Sequence, residues 1–171
     1  LGGVAPFDAR GLNYFLGMGA DNHAELGLAM AGRPHIEAFC QQAAEQMLGA
    51  RPAQITELIS TLVSPLDRTV LDGSVGEHWA GSLPITFAQG VSGWVDDDLA
   101  FVRPFGFEIG AIAAPMLVVH GRQDQFVPVD HGEWLADALS TAEAWISDEE
   151  GHLTLMVNRV PAVHDWLLTH F

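Results

Sequence analysis

The chain has a single cysteine, Cys40, in 171 residues. That excludes an internal disulfide and any CxxC zinc or redox motif. In a helical context Cys40 reads as a small buried hydrophobe, which fits a reducing, cytoplasmic compartment. Basic residues are scarce too: 7 Lys plus Arg face 22 Asp plus Glu, a formal charge of -15. Such a surface repels a phosphate backbone and an anionic bilayer, so nucleic acid and membranes are set aside as partners. No apolar run approaches the roughly 18–20 residues of a membrane-spanning helix, and no basic start precedes an apolar signal region. An initiator methionine is also lacking. The opening "LGGVAPFDARG" reads as the tail of a strand entering a loop, so the expectation is that something was removed upstream. Apolar residues are plentiful at 49%, enough at this length for one globular unit with a core.

The first hundred or so residues carry helical patterns. Asp21 is the expected N-cap of "NHAELGLAMAG", ended by Gly32. Pro34 opens "PHIEAFCQQAAEQMLG", with Ile36, Phe39, Cys40, Ala43 and Met47 at helical spacing and Gly49 closing it. Pro52 leads a third amphipathic helix, "PAQITELISTLV", with Pro65 beyond its end. The stretch "SVGEHWAGSLPITFAQGVSG" is helix-like but should kink or split at Pro84. "WVDDDLAFVRPFGFEIGAI" has no clean period and is the most aromatic part of the chain.

From Pro115 the pattern changes. "MLVVHG" is a continuous apolar run of strand length, as in a strand buried on both faces of a parallel sheet. "VDHGEWLADALS" reads as a helix, "AEAWIS" as an alternating strand, "DEEGH" as a turn and "PAVHDWLLTHF" as a closing helix with Pro161 at its first position. Strand, helix, strand, helix with short connections is a βαβα unit with a right-handed crossover.

Loops leaving the carboxyl ends of neighbouring parallel strands converge on one edge. Asp124 leaves the first strand and His152 the second, so they are expected side by side although 28 positions apart in the chain. A carboxylate beside an imidazole fixes its tautomer and stabilises the imidazolium, which makes the other ring nitrogen a base toward a hydroxyl. Taken singly, Asp124 reads as a turn residue bonding its own backbone and His152 as a polar residue near a helix start.

"APMLVVHGRQDQFVPVDHGEWLADAL" followed by "EAWISDEEGHLTLMVNRVPAVHDWL" resembles the carboxyl-terminal portion of the α/β-hydrolase superfamily over Pro115 to Leu168. The resemblance implies that Asp124 is the triad acid and His152 the triad histidine. It also implies a partial α/β-hydrolase fold: residues 1–6 end a preceding sheet strand, residues 7–114 form a mostly helical cap, and residues 115–171 are the βαβα part carrying the last two strands of a parallel sheet. In that family the nucleophile precedes the acid and the histidine.

No G-x-S-x-G occurs. "GSVG" at 73–76 and "GVSG" at 90–93 have the wrong spacing, and Ser64, Ser74, Ser92 and Ser140 read as helix-end or loop residues. The expectation is therefore that the serine, the oxyanion hole and the other strands lie outside the chain, which would be inactive alone. The amino-terminal half of the same enzyme then becomes a partner, and an exposed strand edge would favour a homo-oligomer. A self-associating, non-catalytic domain of the same fold is the alternative.

Competing sites are weaker. Asp8 sits where some members of the superfamily carry their acid. Asp148, Glu149 and Glu150 read as solvated turn residues. His120, Asp124, Asp130 and His131 are considered and set aside as a zinc site, with His120 a satisfied core histidine. His23, His35, His78, His164 and His170 fall on helices without partners, and Asp96 to Asp98 read as a solvated helix start. Neither metal nor cofactor is expected. On the substrate side Phe126, Trp94, Phe101 and Phe105 are expected to suit a small apolar or mixed-polarity substrate.

Overall fold

Helix boundaries follow the prolines and glycines closely. The computed structural model describes residues 1–171 and begins with α1 (Ala20–Ala31) and α2 (Arg33–Met47), separated by Gly32 at φ 110°. Then come α3 (Pro52–Leu58), α4 (Pro65–Leu71), α5 (Ser74–Thr86) and α6 (Ser92–Phe101). Two expectations are corrected at once. Gly19 rather than Asp21 stands at the N-cap of α1, and Asp21 lies in its first turn, where its carboxylate accepts from the Thr61 hydroxyl. The helix expected over 52–63 stops at Leu58; Pro65 does lie beyond its end, and it begins a further helix, capped by the Ser64 hydroxyl oxygen, which accepts from the Asp67 N–H. Pro84 does not split α5, which runs on to Thr86, so the missing N–H falls in the last turn, where little helix remains to be lost.

A single 3₁₀ turn (Ile109–Ala111) leads to β1 (Met116–Gly121), α7 (Val129–Ala138), β2 (Ala142–Ser147) and α8 (His152–His170). The two strands pair in parallel, with Met116 opposite Ala142 and Gly121 opposite Ser147. Thus the fold is mixed: many helices beside a small parallel sheet, compatible with the α/β class. Residues 1–6 form no strand; Gly2 donates its N–H to the Val119 carbonyl on the free edge of β1, and the expected strand end is reduced to that contact. β2 does not alternate cleanly either, since Glu143 and Ala144 are both exposed.

The closing helix is longer than its sequence pattern. It does not begin at Pro161 but at His152, and Pro161 lies inside it. Apolar packing is divided among small clusters. Ala29, Ile36, Cys40, Val95 and Leu99 join α1, α2 and α6, while Ile59, Leu62, Val63 and Leu71 pack with Phe126 and Leu153, next to the carboxyl edge of the sheet.

Inside the first cluster lies an acid pair that composition alone conceals. Asp98, expected in a solvated helix start, is in the middle of α6 and only 4% exposed. Its carboxyl group faces Glu25, whose own carboxylate accepts from the Trp94 indole N–H at 2.6 Å. Burial first, and Glu25 second, push Asp98 up to about 8. The folded state therefore holds a proton that the unfolded chain releases near 3.8, and the stability it carries is lost as pH rises through about 8. Asp98→Asn mimics the protonated form. Thermal melts from pH 7 to 9, above the range in which the buried histidines titrate, should show the wild type losing a few degrees with rising pH and the variant losing less; parallel losses in both would contradict the pairing.

Candidate functional site

β1 ends at Gly121, and the loop after it is shaped by Asp124. Its Oδ1 accepts from the Val127 N–H at 2.8 Å, an Asx-type turn, while its Oδ2 accepts from the His152 Nδ1–H at 2.8 Å. The turn role and the pairing role therefore coexist, one oxygen each. The Asp124 side chain is fully buried and that of His152 is 21% exposed. With Nδ1 committed to the carboxylate, Nε2 is the acceptor nitrogen, and it makes no hydrogen bond within the chain.

The loop bearing His152 is pressed onto the loop bearing Asp124. The Arg122 N–H donates to the Ser147 carbonyl at 2.8 Å and the Gln123 N–H to the Glu150 carbonyl at 3.0 Å. Gly121 makes the approach feasible, since a Cβ there would overlap the Glu150 carbonyl. Glu150 itself corrects an expectation. Of the three acidic turn residues, Asp148 and Glu149 are exposed, but Glu150 is buried, accepting from Asn158 Nδ2 and pairing with Arg159. Two other contacts fix the imidazole: the Phe126 ring lies stacked on it at 4.7 Å between centroids, and Gly2 lies so close that a Cβ would stand 3.0 Å from His152 Cε1.

Sequence reasoning missed Asp67. This fully buried carboxylate belongs to the first turn of α4, yet it accepts from the backbone N–H groups of His152 at 3.0 Å, Leu153 at 2.8 Å and Thr154 at 2.9 Å. It also accepts from the hydroxyls of Ser64 at 3.0 Å and Thr154 at 3.3 Å. α8 thus starts where a distant residue caps it. The detectable signal was Ser64-Pro65-Leu66-Asp67, a helix start with an acid at the third position.

Two further histidines brace the acid loop. His120 Nε2–H donates to the Val127 carbonyl at 2.7 Å, but its buried Nδ1 has no partner, so the expected core histidine is only half satisfied. His131 Nε2–H donates to the Tyr14 carbonyl at 2.8 Å, and its Nδ1 accepts from the Ala5 N–H at 3.2 Å. Burial lowers both below the ordinary imidazole range. The sign follows: stability from the neutral rings is present above about 6.5 and lost as pH falls below it. Ala5 amide exchange, corrected for its intrinsic rate, should therefore quicken from pH 7 to pH 5; a flat protection factor would contradict the His131 contact.

The other expected residues are dispersed. Trp94 belongs to the α1, α2 and α6 packing and stacks on Phe87 at 6.0 Å. Phe101 offers its carbonyl to the Tyr14 hydroxyl, and Phe105 lies against Phe107. Neither makes a ring contact with His152, so Phe126 alone joins the pair. Asp8 is exposed and unpaired. His170, expected to lack a partner, stacks on Trp166 at 4.0 Å. Ser64 is buried and bonded to Asp67, while Ser74, Ser92 and Ser140 are exposed; no serine of the chain bonds His152.

Comparison with known proteins adds one short match. Over 48 residues the chain is 48% identical to a 2-hydroxy-6-oxononadienedioate/2-hydroxy-6-oxononatrienedioate hydrolase from Paraburkholderia xenovorans (strain LB400). This stretch is 28% of the present chain and spans 17% of that protein's length. The chain shares hydrolase-related sequence. Among solved structures, "The Structure of Rv0554 from Mycobacterium tuberculosis" overlays with a TM-score of 0.42 at 21% identity, covering 88% of this chain and 61% of that one. No protein family model matches. No helix is long and apolar enough to cross a membrane.

Proposed function

We propose that the chain supplies the acid and the histidine of a serine-type hydrolase of the α/β-hydrolase superfamily, with the nucleophile outside the 171 residues. The observation that carries this reading is the His152 Nδ1–H to Asp124 Oδ2 hydrogen bond at 2.8 Å, with Nε2 left as an acceptor beside Phe126. In the first step Nε2 takes the serine proton as the serine oxygen bonds the substrate carbonyl carbon. The imidazolium then gives that proton to the leaving group; Nε2 next takes a proton from a water whose oxygen bonds the acyl carbon, and returns it to the serine oxygen as the acyl–serine bond breaks. Asp124 stays ionised and holds the imidazolium. Phe126 offers an apolar wall to an ester, amide or related substrate. Hydrolysis of a 2-hydroxy-6-oxo dienedioate or trienedioate, the activity that the matching hydrolase is named for, is a second reading, favoured by the 48-residue identity.

The test is ester turnover. The 171-residue chain alone should not hydrolyse p-nitrophenyl esters, and a polypeptide joining it to a nucleophile-bearing segment should, with His152→Ala returning it to background. Turnover that survives His152→Ala would remove the reading.

A self-associating domain is the reading of another class, favoured by the free edge of β1 and by exposed Leu168 and Phe171 at the end of α8. Sedimentation decides it: a monomer at 18.4 kDa contradicts self-association.

A further inference from the structure

We infer that Asp67 is a positioning residue for His152, coupling the helical segment to the base; this rests on the hydrolase reading above. Three features set it apart from an ordinary helix cap. The carboxylate comes from 85 residues upstream, in a helix of the α3 to α5 group, and the first N–H it captures is that of His152 itself. It is seated without slack, because a Cβ at Gly151 would overlap its oxygens. Leu71, at the other end of α4, packs in the same cluster as Leu153 and Phe126, the residues flanking the imidazole. His152 is therefore fixed from two sides: Asp124 holds the ring and Asp67 holds the backbone from which the ring projects. Any shift of α4 is passed to the first turn of α8, and the Nδ1 to Oδ2 bond is what it disturbs.

Asp67→Asn separates this role from folding. Its Oδ1 still accepts from the Leu153 and Thr154 N–H groups, but an NH₂ replaces the Oδ2 that served the His152 N–H and the Ser64 hydroxyl. In NMR of the 171-residue chain with labelled histidine, the variant should lose the downfield His152 Nδ1–H resonance. His152 amide exchange should quicken by roughly ten- to a hundredfold, as expected for one lost bond to a charged acceptor, with β1 amides unchanged. Thr154→Val, which leaves the His152 N–H contact in place, should keep the resonance. The inference is overturned if Asp67→Asn leaves both His152 signals as in the wild type. It is equally overturned if protection collapses throughout the chain, since Asp67 then serves the fold at large. If the wild type itself shows no Nδ1–H resonance, the Asp124–His152 pairing fails, and this outcome is distinct from a failure of Asp67.

Discussion

Asp124→Asn, in a polypeptide that joins these residues to a nucleophile, is expected to lower ester turnover by about 10⁴-fold with the fold intact. The two oxygens of Asp124 have separate partners, and that makes the loss interpretable. An asparagine keeps an oxygen for the Val127 N–H, so the loop after β1 retains its turn. The group facing His152 becomes an NH₂, which donates to Nδ1 and drives the ring proton to Nε2. A base whose accepting nitrogen already carries a proton cannot take one from a serine. Steady-state turnover, with melting temperature as the control, checks this. A loss below about tenfold would mean that the 2.8 Å contact has no part in proton transfer.

Gly121→Ala is expected to be the most disruptive conservative change near the site, costing about 3 kcal/mol or more. The added methyl would meet the carbonyls of Glu150 and Gly151, which are backbone and cannot rotate away. Relief requires the β1 loop and the α8 loop to part, breaking the Gln123 to Glu150 bond and drawing Asp124 away from His152. Stability and pairing should therefore fall together. Urea unfolding measures the first, and the His152 Nδ1–H resonance the second. A variant as stable as the wild type would contradict the close approach of the two loops at Gly121.

Both strands, α7 and the adjacency of Asp124 to His152 were legible because their signals are local. "MLVVHG" is an apolar run of strand length, and the residues after a parallel strand must emerge at its carboxyl edge, whatever lies elsewhere. The features that escaped depend on partners far away in sequence. Within α8 only Thr154 marks the start, its hydroxyl accepting from the Gly151 N–H, whereas the N–H groups of the first turn are capped by Asp67, 85 positions earlier. Pro161 looked like a start for the same reason. Asp98 escaped because three consecutive aspartates read as a charge run, although Asp98 follows Val95 by one helical turn and precedes Leu99, both core residues of α6. Glu150 was hidden similarly: its partners Asn158 and Arg159 come one to two turns into a helix expected to begin later. The aromatic stretch misled in the opposite direction. Rings were expected to gather at the site, but Trp94 satisfies its indole N–H on Glu25 and packs between helices instead.

The central claim is that His152 serves a serine beyond these residues, and mapping a fluorophosphonate adduct by peptide mass spectrometry tests it most directly. The account predicts no adduct on the 171-residue chain alone. In a longer polypeptide carrying it, the adduct should fall on a serine preceding Leu1 and disappear with His152→Ala. An adduct on any serine within residues 1–171 would contradict it.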